Sequence, residues 1–233
     1  MRNTPPALMM MAAGFGTRMG ALTANRPKPL ISVAGRTLID HALEVADNAG
    51  IARRVVNTHY LGDQIAAHLA GRDVMISDEP GQILETGGGL RKALPLLGTN
   101  PVLVLNTDGI WTGANPLTAL MQAWDGDAMD GLLLVLPGDQ AGRVIPDDFI
   151  MGTDGRLRRA NGASGVVYVS AQMMRTEDLR DIPEDVFSLN RVWDRMIDRG
   201  RLFGLVHQGR WCDIGRPEGI TEAEALLAGA AGV

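Results

Sequence analysis

The chain has 233 residues, 45% of them hydrophobic and 21% charged, which supports a packed core and suits one large α/β domain, or a domain with a small lid. Its net charge of −5 argues against a broad nucleic-acid interface, which needs a basic face, but not against a nucleotide, which needs only a few local cations. The one cysteine, Cys212, excludes an intrachain disulfide and a Cys-based zinc site. No apolar run is long enough to span a membrane and the N-terminus makes a poor signal peptide, so the sequence reads as a soluble cytoplasmic protein.

The apolar run at 7–11 reads as a buried strand. It feeds the loop Ala12-Ala13-Gly14-Phe15-Gly16-Thr17-Arg18-Met19-Gly20. A glycine-rich turn after a strand presents backbone N–H groups to phosphate. Arg18 adds a fixed charge, and Lys28 follows between Pro27 and Pro29, so the segment is a candidate triphosphate cradle. Apolar residues at helical spacing predict a helix over 37–49, with Thr37 and Asp40 resembling a capping box. Residues 54–58 read as a strand, 63–70 as a short helix and 74–77 as a strand. This alternation predicts a mostly parallel sheet covered by helices. Gly87-Gly88-Gly89 looks like a second ligand-facing turn that opens a helix broken near Pro95.

The clearest buried strand, 101–106, ends in Asn106-Thr107-Asp108, where ligands of open parallel sheets bind. Asn115-Pro116 caps a helix that Gly126 stops, and 131–136 is another buried strand. The segment at about 137–164 is rich in glycine and charge, and Asp154-Gly155 signals a hairpin between strands near 149–152 and 156–159, so a small β-rich lid insertion is expected there. A strand over 166–170 rejoins the sheet. A helix over 190–199 and a strand over 202–207 precede Trp211-Cys212-Asp213-Ile214-Gly215, a final helix starts at Pro217, and the tail from Ala228 is expected to fray.

Two familiar nucleotide motifs fit poorly. Met19 stands where a dinucleotide fingerprint has its third glycine, and the expected acidic residue falls on a helix as Asp40. The triple glycine lacks the Gly-Lys-Ser/Thr ending of a P-loop. Asp108 and Asp213 each follow a strand; alone each would be a turn residue, and facing one cleft they suit Mg²⁺. The four histidines show no metal-ligand spacing, Trp111 and Trp193 read first as core, and no nucleophile arrangement is present.

Taken together, these segments resemble the sugar-1-phosphate nucleotidyltransferase family. The first loop is similar to its G-x-G-[ST]-R-[ML] signature, Pro27-Lys28-Pro29-Leu30 to its P-K-[PA]-[LM] box, and Asn106-Thr107-Asp108 and Trp211-Cys212-Asp213-Ile214-Gly215 to its two metal-binding aspartate segments. The resemblance implies a Rossmann-like, GT-A-like three-layer sandwich with a mostly parallel mixed sheet. It also implies in-line attack of a sugar-1-phosphate on the α-phosphorus of a nucleoside triphosphate, with pyrophosphate leaving. Ala12, Ala13, Gly14, Gly16, Thr17, Arg18, Lys28, Glu79 and Gly87 would hold the nucleotide, with Glu79 or nearby backbone reading the base edge. Thr86, Gly88, Trp111, Gly165 and Asn190 would face the sugar, and Asp108 and Asp213 would hold Mg²⁺. Leu84-Glu85-Thr86-Gly87-Gly88-Gly89 and Phe187-Ser188-Leu189-Asn190 are most similar to the uridylyltransferases of cell-wall recycling, implying UTP and N-acetylmuramic acid 1-phosphate as substrates. Thr107 and Gly109 depart from the family's usual glycine before the aspartate and larger residue after it. Cytidylyl or guanylyl transfer to another sugar phosphate or to phosphocholine is the alternative, and a non-catalytic nucleotide-sugar sensor a further one.

Overall fold

The computed structural model describes residues 5–141 and 147–230. β1 (Leu8–Met11) leads through two short 3₁₀ turns, Thr17–Thr23 and Lys28–Leu30, to the two-residue strands β2 (Ser32–Val33) and β3 (Arg36–Thr37) and to α1 (Leu38–Asn48). β4 (Arg54–Thr58), α2 (Gly62–His68), β5 (Met75–Asp78), α3 (Glu85–Leu97) and β6 (Val102–Asn106) complete the first half. β7 (Gly109–Trp111), α4 (Pro116–Ala123), β8 (Gly131–Pro137), β9 (Phe149–Met151), β10 (Leu157–Arg159) and β11 (Val166–Met174) follow. α5 (Glu177–Arg180), α6 (Asn190–Asp198), β12 (Leu202–Val206), β13 (Trp211–Asp213) and α7 (Glu218–Ala230) close the chain.

One nine-stranded sheet forms the middle layer. β6, β1, β4 and β5 lie side by side and parallel. β11 runs antiparallel to β6 and β8 antiparallel to β11, while β12 pairs β8 in parallel. Strand alternation sorts the core into two faces. Leu8, Met10, Leu103 and Leu105 pack with Ile39, Ala42, Leu117 and Leu120 of α1 and α4. Met9, Val55, Val102 and Val104 pack with Leu90, Ala93, Val192 and Met196 of α3 and α6. The result is the expected three-layer α/β sandwich.

A third apolar cluster lies outside these layers. Ala223 and Leu226 of α7 pack with Met19, Val33, Ile110 and Ile214, tying the first loop to the β7–β13 ribbon. No helix among the described residues is long and apolar enough to cross a membrane.

Several local expectations need correction. α3 begins at Glu85, so the three glycines lie inside the helix, and it continues through Pro95 to Leu97. Pro95 lies inside the helix near its C-terminus, where α3 forgoes one intrahelical N–H bond. β11 runs four residues past Ser170, bulging between Tyr168 and Gln172. α7 stays helical through Ala230; residues 231–233 lie outside the described residues. The hairpin β9–β10 forms where Asp154-Gly155 predicts it, and β9 joins the central sheet beside β11 through Val166 and Phe149. Residues 142–146 of the 137–164 segment lie outside the described residues.

Candidate active site

The parallel strands deliver their carboxyl ends to one cleft of about 290 Å³. β1 supplies the glycine loop, β4 ends near Asn57, β5 leads into 79–86, and β6 ends in Asn106-Thr107-Asp108. The strand order β6, β1, β4, β5 therefore puts Asp108 at one end of the cleft, Ile83, Glu85 and Thr86 at the other, and the glycine loop between them.

At the Asp108 end, Gly16 takes a left-handed conformation (φ 65°) to start the first 3₁₀ turn. A Cβ there would come within 3.0 Å of the Lys28 Cβ, so glycine lets the loop close on the lysine stem. The Thr23 hydroxyl donates to the Gly16 and Gly20 carbonyls and pins the loop from behind. Lys28, framed by buried Pro27 and Pro29, places Nζ 2.6 Å from Asp108 Oδ2. The two side chains are 12% and 26% exposed, so the pair is sheltered yet reachable from the cleft.

β7 and β13 form an antiparallel ribbon that sets Asp213 opposite Gly109. The Ile214 N–H donates to the Asp108 carbonyl at 2.9 Å, so the two aspartates occupy adjacent rungs. A Cβ on Gly215 would lie 3.1 Å from Asp213 Oδ2 and 3.2 Å from Arg18 Nη1; the carboxylate and guanidinium converge over that glycine. The departures flanking Asp108 have local causes. Thr107 is buried, with its hydroxyl donating to the Met11 carbonyl, and a Cβ on Gly109 would collide with the Trp111 and Trp211 indoles. Behind the aspartate, burial, reinforced by the Asp108 and Asp148 charges, pushes the Tyr168 phenol well above its ordinary range. That phenol stays neutral and accepts a hydrogen bond from Gln172, which in turn accepts one from Trp193.

At the other end, a buried relay joins the two glycine-rich segments. The Ala12 N–H donates to Asn57 Oδ1 at 2.8 Å, Asn57 Nδ2 donates to Glu79 Oε1 at 2.7 Å, and the Leu84 N–H donates to Glu79 Oε2 at 2.9 Å. Glu79 is 1% exposed and has both oxygens engaged. The triple glycine follows from crowding. Cβ atoms at Gly87, Gly88 and Gly89 would lie 2.4 Å from the Phe187 ring, 2.2 Å from the Asp185 carbonyl and 2.7 Å from Glu79 Oε1. The Gly87 and Gly88 N–H groups both donate to the Phe187 carbonyl.

Ala12, Ala13, Gly14, Gly16, Thr17, Arg18, Lys28, Thr86 and Asp108 all line the cleft. Glu79, Gly87, Gly88, Trp111, Gly165, Asn190 and Asp213 stand outside that lining. The Trp111 indole donates to the Val169 carbonyl, the Gly165 N–H to the Asp147 carboxylate, and the Asn190 amide to the Ser188 hydroxyl. Thr86 lines the cleft while its hydroxyl accepts from the Leu189 N–H. Sequence reasoning missed Asn57, Ile83, Glu85 and Gly215 among the lining residues. The signal for Asn57 was a polar residue closing the apolar pair Val55-Val56 at a strand end.

Among the described residues, no group of three or more His, Cys, Asp or Glu side chains could hold a metal alone. The family model for the MobA-like NTP transferase domain matches residues 8–181. The chain is 40% identical to N-acetylmuramate alpha-1-phosphate uridylyltransferase of Caulobacter vibrioides over 98% of this chain and 99% of that protein. It is 36% identical to the protein of the same name from Neisseria meningitidis serogroup B, over 94% of this chain and 96% of that one. In structure it is similar to HddC from Yersinia pseudotuberculosis complexed with GMP-PN, with a TM-score of 0.78, 20% identity and coverage of 94% and 98% of the two chains. That likeness establishes the shared fold. With its family model spanning most of its length and both relatives matching nearly end to end, the chain belongs to the MobA-like NTP transferase family.

Proposed function

We propose that the protein transfers UMP from UTP to N-acetylmuramic acid 1-phosphate, releasing pyrophosphate and forming the UDP-sugar used in peptidoglycan recycling. The observation that carries the reading is one cleft lined together by a glycine loop, Arg18, Lys28 and Asp108, with Asp213 on the rung beside Asp108. The activity named for the two relatives supports these substrates.

In this reading the N–H groups of the first loop and Arg18 hold the triphosphate, and the base rests on Ala12, Ala13 and Gly14. Positioning and charge neutralisation are the main tasks in such a transfer. A Mg²⁺ ion, when bound, supplies charge neutralisation at the phosphates of both substrates. The donor set fits it: two carboxylates on adjacent rungs, too few to satisfy a cation alone, suit an ion that keeps phosphate oxygens and water as its other ligands. Lys28 neutralises Asp108 at 2.6 Å. Lys28, held at the cleft by this pair, would give its remaining donors to the α-phosphate, where negative charge builds as the sugar-phosphate oxygen attacks. Glu79 acts through Asn57 and Leu84, fixing the loop that carries Thr86. Trp111, Gly165 and Asn190, behind the rim, shape the acceptor side, while Thr86 and Gly88 lie with Glu85 at the start of α3.

The test is pyrophosphate release with Mg²⁺, crossing UTP, CTP, GTP and dTTP against N-acetylmuramic acid 1-phosphate, GlcNAc-1-phosphate, glucose-1-phosphate and phosphocholine. Turnover peaking at UTP with N-acetylmuramic acid 1-phosphate is the expected result. A peak elsewhere reassigns the substrates, and release in no combination refutes the reading.

A further inference from the structure

Five non-glycine residues among those described have a left-handed backbone: Ala34, Leu61, Glu85, Asn161 and Ser170. Of these, Glu85 is the one that lines the cleft. Its φ of 59° is a conformation that residues with a long side chain rarely adopt. Such a conformation persists when its surroundings over-determine it, and it concentrates at binding sites.

Here the over-determination is visible on both sides. Before Glu85, the Leu84 N–H is bonded to buried Glu79 and the Leu84 carbonyl accepts from the Phe187 N–H. After it, the Thr86 hydroxyl accepts from the Leu189 N–H, and the next two N–H groups converge on the Phe187 carbonyl. The fold thus holds an unfavourable backbone at the one cleft-lining position besides Asp108 that carries a carboxylate. That side chain is exposed, and no residue among those described pairs with it.

Its place in the cleft limits what it can meet. A carboxylate beside a triphosphate would repel it. Glu85 instead follows β5, at the end remote from Arg18, Lys28 and Asp108. A nucleotide with its phosphates at those cations directs its uncharged nucleoside toward Glu85. A carboxylate offers only acceptors, so it recognises hydrogen-bond donors.

We propose that Glu85 is a specificity-determining residue that accepts a hydrogen bond from a donor on the nucleoside, either the ribose 2′-hydroxyl or the ring imide N–H. The inference rests on the nucleotidyl-transfer reading for the orientation of the ligand. Its test is nucleotide affinity, measured without acceptor, so it can fail independently of turnover.

The experiment is calorimetric titration of wild type, Glu85→Gln and Glu85→Gly with Mg²⁺ and UTP, 2′-deoxy-UTP or N3-methyl-UTP, alongside thermal unfolding. Hydrogen bonds to charged groups predict a roughly 10- to 100-fold loss of UTP affinity in Glu85→Gln, with Tm unchanged. Wild type should lose a similar factor with whichever analogue lacks the donor, Glu85→Gln, whose amide oxygen still accepts, should lose less, and Glu85→Gly should be indifferent to that change. Glu85→Gly should lose the same affinity while its Tm rises by a few degrees as the backbone strain is relieved. Unchanged UTP affinity in both variants, or equal wild-type affinity for all three nucleotides, overturns the proposal.

Discussion

Replacing Gly89 with alanine tests whether the buried relay, rather than ligand contact, dictates the triple glycine. In an unobstructed helix the change favours folding by about 0.5–1 kcal/mol, because alanine loses less backbone entropy. At position 89 the new methyl would lie 2.7 Å from Glu79 Oε1 and 2.9 Å from Asn57 Nδ2. Neither neighbour is a free side-chain end: Glu79 and Asn57 are 1% and 3% exposed and bonded to each other at 2.7 Å. Seating the methyl forces the pair apart. A hydrogen bond to a charged group contributes about 1.5–3 kcal/mol and overpacking costs about 1–3 kcal/mol. Less the helix gain, the expected net loss is about 1.5–5.5 kcal/mol, or roughly 3–20 °C in Tm for a chain of this size. Gly229→Ala in α7, where nothing lies within 4 Å of the added Cβ, is the control and should be neutral or mildly stabilising. The assay is thermal and urea unfolding of both variants, followed by UTP titration, since Asn57 also orients the Ala12 N–H. Gly89→Ala unfolding at or above the wild-type Tm would refute the crowding argument.

Asp108→Asn and Asp213→Asn should keep the wild-type circular dichroism spectrum and lose about 10²–10³ in turnover, the usual cost of one preorganised charge contact; retained pyrophosphate release in both sinks the metal assignment. Lys28→Met should depress kcat more than nucleotide affinity, and an effect confined to KM reassigns Lys28 to ground-state binding. Asp40 is partly buried, which opposes ionisation, yet bonds from Thr37, His68 and Arg72 outweigh this and bring its carboxyl down to about 2. Because the folded state lowers this pKa, the stabilisation is full above the ordinary carboxylate range and is lost as pH falls through about 2. Asp40→Asn should therefore destabilise by about 1–2 kcal/mol at pH 7 and far less near pH 2, as read by urea midpoints; an equal loss at both pH values contradicts the assignment. Burial, with Glu222 and Asp213 nearby, pushes the Cys212 thiol up to about 11, so alkylation at pH 7 should proceed only on unfolding. Rapid labelling of the native protein would contradict this.

The parallel half of the sheet was legible because its strands are continuous apolar runs separated by helices of clear period. Residues 54–58 match β4 end to end. The first loop, Lys28 and Asp108 were legible because their spacing along the chain is itself the family signature. α3 was misread at both ends for one reason: helix propensity is a local quantity, whereas its three glycines answer to Phe187, Asp185 and Glu79, remote in sequence. The β7–β13 ribbon escaped because three-residue strands carry no period, and Asp108 and Asp213 are brought together by that pairing. Glu85 sat in plain view beside the glycines, but a positive φ at a glutamate has no sequence signal; it follows from the bonds that fix Leu84 and Thr86.

The packing of α7 bears on when the molecule becomes competent during synthesis. Asp108 emerges from the ribosome well before Asp213, and the rung that joins them rests on Ile214 against Ala223 and Leu226 of the last helix. The same helix packs on Met19 of the first loop. One helix thus covers the apolar undersides of the glycine loop, through Met19, and of the ribbon carrying Asp213, through Ile110 and Ile214.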